Sequence, residues 1–122
     1  MDKEVTDLGI SYERLLVYHK TFMKPISFSE ISICHLEDRV TRIITKEGEI
    51  FCTPRTMNEL ELRLPSDDFF RISRNCIIAY KSILKVEPYF GNRLVIFPNC
   101  TFQKKLIVSR PRVPAFKNWL GE

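Results

Sequence analysis

The sequence has no apolar run long enough to cross a membrane, few glycines and few histidines, and no closely spaced pair of cysteines. A membrane-spanning helix needs about 20 predominantly apolar residues, so no transmembrane segment is predicted. The first ten residues, MDKEVTDLGI, are polar and contain acids, which is not typical of a secretory signal peptide. Without an export signal or a membrane segment, we expect a cytoplasmic protein.

The cysteines are not spaced as metal ligands. None lies in a C-x-x-C pair, and His19 and His35 are isolated from each other and from the cysteines. Metal sites generally need ligands a few residues apart. Four cysteines are enough for two disulfides, but each lies among apolar neighbours. We therefore predict no metal and no cofactor, and four reduced thiols that act as small core side chains: Cys34, Cys52, Cys76 and Cys100.

No arrangement of residues typical of a catalytic site is visible. Glycine occurs only four times, and no glycine-rich phosphate loop is present. No nucleophile stands in a recognisable local motif, and Glu47 and Glu49 flank a predicted hairpin turn, where carboxylates are usually only solvated. An enzyme needs a convergent set of titratable groups. We predict that the protein is not an enzyme, although any fold can also bring carboxylates together in space.

The formal net charge of +4 conceals a strong asymmetry along the 122 residues. Residues 69–122 carry ten basic side chains and only two acidic ones, whereas residues 1–68 carry more acids than bases. A basic half favours a polyanionic partner such as nucleic acid. A lysine-rich surface that is merely solvated has the same composition, so charge alone leaves both interpretations open.

Short alternating segments bounded by turn residues predict a mainly β domain, either a barrel or packed sheets. A hairpin turn with glycine in the left-handed position is predicted at residues 46–48. Residues 1–13 are expected to be a loose lead-in and residues 14–122 a single domain. Strands are expected at residues 14–22, 31–36, 40–45, 49–52, 69–73, 76–80, 83–87, 93–97 and 101–108.

Two helices are predicted. Thr56 and Glu59 form a capping box, after which Met57, Leu60 and Leu64 recur at helical spacing. Near the end of the chain, an irregular or 3₁₀ turn over residues 110–113 should lead into a helix that begins near Pro114. The second helix should pack its apolar face on the sheet, in a predicted core of Phe70, Ile72, Ile78, Leu94, Ile96, Phe116 and Leu120.

The chain is organised around residues 69–80, FFRISRNCIIAY, which predict a strand, a tight loop and a second strand. Arginine binds phosphate through a bidentate fork, and asparagine can read a base edge. Each basic cluster alone is more often a solvated surface, but their joint bias to one half favours binding to DNA. The contact residues predicted from these clusters are Arg39, Thr41, Arg42, Arg71, Arg74, Asn75, Lys104, Lys105, Arg110 and Arg112.

Several segments, in this order and spacing, resemble the LytTR domain, the DNA-binding domain of a large class of bacterial response regulators. The resemblance covers roughly residues 14–120. The segments that carry it are LELRLP at 60–65, FFRISRNCII at 69–78, Ile83, Val86 and Glu87, IVSR at 107–110, and FKNWL at 116–120.

The resemblance implies an elongated, mainly β fold of short antiparallel strands with a short middle helix and a C-terminal helix. It also implies that loops enter the grooves of duplex DNA and that two copies, a homodimer on DNA, bind paired direct repeats. By resemblance, the first contact loop falls at residues 39–42, with Thr41 nearest the base-reading position, and the third at residues 109–112. The second falls on Arg71, Ser73, Arg74 and Asn75, which adds Ser73 to the predicted contact residues. The family usually has histidine where Ser73 stands and asparagine where Ala79 stands.

These features together predict a sequence-specific transcriptional regulator of the two-component type. The receiver or sensor partner of such a regulator is not identified by this sequence. A β domain for protein interaction, without DNA contacts, is the alternative from another class. A small-ligand or enzymatic β-barrel is a third. Binding to random duplex at increasing salt separates the first two, because DNA binding releases counterions.

Overall fold

The structure is a computed structural model that describes residues 13–122. Of the predicted lead-in over residues 1–13, all but Glu13 lies outside the described residues, and the domain division stays a prediction. The first seven strands of the described part are β1 (Arg14–His19), β2 (Phe22–Ser27), β3 (Ile31–Glu37), β4 (Val40–Thr45), β5 (Ile50–Thr53), β6 (Phe69–Ser73) and β7 (Cys76–Ala79). They form one antiparallel sheet in the order β2-β1-β5-β4-β3-β7-β6.

A second antiparallel sheet has the order β10-β9-β8. Its strands are β8 (Ile83–Tyr89), β9 (Arg93–Pro98) and β10 (Leu106–Val108). The helices of the described part are α1 (Met57–Arg63) and α2 (Val113–Leu120), with short 3₁₀ turns at Phe28–Glu30, Tyr80–Ser82, Phe90–Asn92 and Arg110–Arg112. The predicted mainly β class with a middle and a C-terminal helix is confirmed.

Two strong local signals in the sequence, the capping box and the glycine turn, are present in the structure as predicted. The Thr56 hydroxyl accepts a hydrogen bond from the Glu59 amide, and the Glu59 carboxylate accepts one from the Thr56 amide, so the capping box begins α1. The β4–β5 hairpin turns through Gly48 at a φ of +86°, which is the left-handed conformation that glycine adopts without strain.

The prediction of one strand over residues 14–22 is wrong. The chain turns at residues 20–21, with Lys20 at a φ of +42°, and returns as β2 in register with β1. Because neither turn residue is glycine, asparagine or proline, this turn carries no strong sequence signal. Pro25 lies within β2, which is an edge strand, where its missing amide proton does not break a ladder.

The prediction of a long strand over residues 101–108 is also wrong. Only Leu106–Val108 pairs with β9, whereas residues 101–105 form bends and irregular structure. The amides and carbonyls of a strand need hydrogen-bond partners on a neighbouring strand, and residues 101–105 do not pair with β9. The length of this strand is therefore set by its pairing with β9.

The seven-stranded sheet separates two hydrophobic cores. On one face, Met57, Leu60 and Leu64 pack with strand residues such as Ile43 and Ile77, so α1 closes this side. On the other face, strand residues pack against the second sheet and α2. The predicted core is confirmed there: Ile72, Ile78, Ile96 and Phe116 are buried, and Phe70, Leu94 and Leu120 are half-buried against them.

Two of the four free thiols, those of Cys34 and Cys76, are buried in the cores as predicted, whereas Cys52 and Cys100 are partly exposed. Burial raises the pKa of the Cys76 thiol to about 12 and also raises the pKa of Cys34. At pH 8 a thiol of pKa about 12 is ionised to about one part in ten thousand.

We therefore expect Cys34 and Cys76 to react with a thiol reagent at pH 8 far more slowly than in the unfolded protein. Mass-spectrometric mapping of a thiol-reagent time course, with a urea-unfolded sample as control, measures this difference. Rapid modification of Cys34 in the folded protein, or stoichiometric zinc in the purified protein, would contradict a purely structural role.

Candidate nucleic-acid interface

Two tight turns meet at one end of the seven-stranded sheet. Strand β3 pairs antiparallel with both β4 and β7, so the end of β3 lies beside the starts of both neighbours. The β3–β4 turn, with Asp38 and Arg39 at positive φ, therefore lies near the Arg74–Asn75 turn between β6 and β7. A hydrogen bond of 2.9 Å from the Leu36 amide to the Asn75 carbonyl joins the two.

An open groove of about 960 Å³ runs between these turns. It brings together residues of the first and second predicted contact loops, which are about 30 positions apart in the sequence. Arg55, which follows β5, also lines this groove and was not among the predicted contact residues. The wall includes four arginines and several polar residues: Arg39, Arg55, Arg71 and Arg74, with Thr41, Asn58 and Asn75 among the polar ones.

A second groove, of about 240 Å³, lies on the other side of the β6–β7 turn. Asn75 borders both grooves, so the turn forms a ridge between them. Arg93 at the start of β9 was not predicted; its Nε donates to the Phe90 carbonyl at 2.8 Å, and its guanidinium lies 5.0 Å from the centre of the Tyr89 ring. The polar residues on this wall are His35, Ser73, Asn75, Arg93, Lys105 and Ser109.

The third predicted contact loop lies beside the second. The Ser109 amide donates to the Ile72 carbonyl at 2.9 Å, which places Arg110–Arg112 next to the end of β6. Arg110 is exposed, whereas half-buried Arg112 donates from Nη1 to the Arg71 carbonyl at 3.2 Å. The 3₁₀ turn predicted ahead of α2 is thus anchored to the strand that carries the second loop.

Exposure differs sharply among the predicted contact residues. Arg39, Arg74 and Asn75 are exposed at the turn tips, whereas Thr41 is only 6% exposed. Within residues 13–122 the Arg74 side chain makes no ion pair or hydrogen bond, including none with Asp67 or Asp68. The Arg74 guanidinium is therefore available to an external partner.

Arg71 lies in different surroundings. Its side chain is only 10% exposed, and Nη1 donates to the Asn58 side-chain oxygen at 2.6 Å and to the Glu61 carboxylate at 3.0 Å. Its Nη2 donates to the Arg74 carbonyl at 2.6 Å. The predicted role of Arg71 as a phosphate ligand stays a prediction, and its internal partners compete with that role.

The Glu37 side chain forms ion pairs with two further predicted contact residues, Lys104 and Arg42. Its carboxylate lies 2.8 Å from Lys104 Nζ and 3.5 Å from Arg42 Nη1, and Arg42 Nη1 also donates to the Glu37 carbonyl. The hydrogen bond from Lys104 lowers the pKa of Glu37, and burial lowers the pKa of neighbouring His35. At neutral pH the Glu37 carboxylate is therefore ionised and the His35 imidazole is neutral. The carboxylate then partly neutralises the positive charges of Lys104 and Arg42.

Comparison with known protein families identifies the family of this chain. The sequence model of the LytTr DNA-binding domain (LytTR) matches residues 22–121. The chain belongs to the LytTR family. The family is a DNA-binding domain, in agreement with the resemblance of the segments that surround the β6–β7 turn.

Relatives of this LytTR domain fit the same classification. The sensory transduction protein LytT of Enterococcus faecalis (strain ATCC 700802 / V583) is 29% identical over 92 residues, which are 75% of this chain and 37% of that protein. The chain thus spans little more than a third of this relative's length. The solved LytTr DNA-binding domain of a Bacillus cereus response regulator superposes with a TM-score of 0.80 at 20% identity, over 91% of this chain and 99% of that one.

That superposition confirms the fold. In the part of the LytTR chain that the structure describes, no helix has the length and apolar character needed to cross a membrane.

Because Glu37 neutralises Lys104 and Arg42, removing its charge should strengthen DNA binding by this LytTR domain. We expect Glu37→Gln to tighten binding to a random duplex by about two- to fivefold at low salt, with the gain shrinking as salt screens the charges. Fluorescence anisotropy with a labelled duplex measures the change.

The matched control for this experiment is Glu87→Gln. Glu87 pairs with Lys85 at 2.9 Å, and neither is a predicted contact residue, so Glu87→Gln removes one carboxylate charge away from the predicted contact surface. Equal gains in the two variants would indicate a general effect of net charge, and no gain in either would remove Lys104 and Arg42 from the binding surface.

Proposed function

We propose that this LytTR domain binds duplex DNA sequence-specifically, as the DNA-reading part of a transcriptional regulator. The observation that carries the proposal is the ridge formed by Arg74 and Asn75, which projects between two grooves lined with cations. A ridge of exposed polar side chains suits insertion into a DNA groove, and the cations on either side suit the flanking phosphates.

The exposure of the side chains distinguishes the proposed base-reading residues from the proposed phosphate-binding residues. The turn tips, Arg39, Arg74 and Asn75, are the proposed base-reading residues, and Thr41 in the groove wall supports the first of these turns. The remaining proposed contacts are to phosphate and are sequence-independent. They comprise Arg42, Ser73, Lys104, Lys105, Arg110 and Arg112, together with Arg55 and Arg93.

The test has two stages. Affinity for a random duplex is first measured from 50 to 200 mM salt; six to ten phosphate contacts should reduce it by about 10³ to 10⁵. Selection from a random duplex library then identifies a preferred sequence. A protein-interaction domain without DNA contacts would show neither the steep salt dependence nor an enriched sequence.

The family resemblance also supports binding of two copies to direct repeats. Duplexes that carry one or two copies of the selected sequence distinguish this arrangement from single-site binding. With two copies, tighter or two-step binding that weakens when half a helical turn, about 5 base pairs, is inserted between them would support contact between neighbouring domains. Independent binding at any spacing would contradict such contact.

The upstream signal belongs to the same proposal. The longer relative is described as a sensory transduction protein, and this chain corresponds to little more than a third of it. We propose that a receiver or sensor unit controls the DNA-binding domain. Pull-down of the domain with a candidate receiver, in its phosphorylated and unphosphorylated forms, tests this coupling.

A further inference from the structure

The Arg71 side chain joins helix α1 to the β6–β7 turn. On one side, its Nη1 donates to Asn58 and Glu61, which are both on α1. On the other side, its Nη2 donates to the carbonyl of Arg74 at 2.6 Å. A planar guanidinium presents its donors in a fixed fork, so these three hydrogen bonds fix the direction of the Arg74 carbonyl relative to the helix.

The turn is held from its other side as well. The Asn75 carbonyl accepts a hydrogen bond of 2.9 Å from the Leu36 amide of β3. Both carbonyls of the two-residue turn therefore have fixed partners, one on α1 through Arg71 and one on β3. The side chains of Arg74 and Asn75 remain exposed, but the backbone that directs them is fixed.

A phosphate contact would require Arg71 to leave these partners. The side chain is only 10% exposed, and its Nε is buried without a hydrogen-bond partner in the described residues. Moving the guanidinium outward would leave the Glu61 carboxylate and the Arg74 carbonyl without this donor. Charge-assisted hydrogen bonds are among the stronger polar contacts, so the inward position is favoured.

We infer that Arg71 is a positioning residue, which together with Asn58 and Glu61 sets the Arg74–Asn75 turn for base reading and does not itself contact DNA. The inference rests on the proposed function. Helix α1 therefore contributes to sequence specificity through Asn58 and Glu61, which lie on its exposed side. A phosphate contact would behave differently, since its loss would weaken all duplexes alike and lower the salt slope by about one unit.

The decisive variant is Glu61→Gln, because it leaves every basic residue in place. If Arg71 positions the turn, this variant should lose about tenfold in affinity for the library-selected duplex and change affinity for random duplex by less than about twofold. If Arg71 contacts phosphate, releasing it from Glu61 should instead tighten binding to both duplexes. Tightening of both would overturn the inference.

Arg71→Met and Arg71→Lys complete the set. Both variants should lose affinity for the library-selected duplex but not for random duplex, with an unchanged salt slope. Neither methionine nor the ammonium of lysine can reproduce the planar fork of the guanidinium. A salt slope lower by about one unit in Arg71→Met, with equal weakening of both duplexes, would overturn the inference. Arg63→Gln is the matched control: Arg63, on α1, likewise donates to a backbone carbonyl, that of Arg14 at 3.0 Å, but outside the two grooves.

Hydrogen exchange without DNA separates this inference from the proposed function. Amide exchange at residues 73–76 should rise in Glu61→Gln and remain as in the wild type in Glu87→Gln. Unchanged exchange in Glu61→Gln would overturn the positioning role. If the wild type enriches no duplex from the library, the proposed function fails, and the exchange measurement still decides whether Arg71 and α1 hold the turn.

Discussion

Replacing Phe116 with alanine is expected to lower the free energy of unfolding by about 3 to 5 kcal/mol, because it opens a cavity in the core beneath α2. Phe116 is fully buried, with its ring centre 5.3 Å from that of Phe70 and 5.9 Å from that of Trp119. The contact with Phe70, which is on β6, holds α2 on the sheet. Urea denaturation followed by circular dichroism measures the loss.

Phe90→Ala is the control for this substitution, since the Phe90 side chain is 77% exposed and its truncation should change stability by less than about 0.5 kcal/mol. Trp119 provides a second readout, because its indole N–H donates to the Ser66 carbonyl at 2.9 Å and its fluorescence should change when α2 detaches. A Phe116→Ala protein as stable as the wild type would mean that α2 does not dock as described.

The second large effect is expected on DNA recognition. Arg74→Ala should weaken binding to the library-selected duplex by about 1 to 3 kcal/mol and should weaken binding to random duplex less. The reason is that Arg74 is exposed on the ridge between the two grooves and its side chain makes no hydrogen bond or ion pair within residues 13–122. Stability should be unchanged, which thermal unfolding of the same variant measures.

Lys81→Ala serves as the control for Arg74→Ala, because Lys81 is exposed and lines a different cavity, away from both grooves. Two outcomes would contradict the prediction. A well-folded Arg74→Ala protein with unchanged affinity would remove the turn from the binding surface. A loss of thermal stability with intact affinity would instead indicate an internal ion pair with Asp67 or Asp68.

The contrast between Arg71 and Arg74 shows what limits a prediction of the site. The two arginines are three positions apart on a strand and its turn, and the sequence pattern treats both as candidate ligands. Their roles separate only because α1 brings Asn58 and Glu61 against β6. Asn58 and Glu61 are 13 and 10 positions from Arg71 in the sequence, and no local pattern reports that contact.

Glu37 and Lys104 make the same point over a longer range. They are 67 positions apart, yet their side chains lie 2.8 Å from each other. Arg55 and Arg93 reach the two grooves for a similar reason, since their distances from the β6–β7 turn depend on strand order. Basic composition indicates that cations are present but does not indicate which of them are neutralised.

The sequence by itself determined the mainly β class, the capped helix α1, the strand–turn–strand over residues 69–80 and the apolar face of α2. Each depends on residues within one element, where side-chain spacing and caps act directly on the backbone. Only the tertiary structure decided the turn at Lys20, the start of the last strand at Leu106 and the partners of Arg71 and Glu37. These depend on which strand or helix lies alongside, because hydrogen bonds and ion pairs form between neighbours in space.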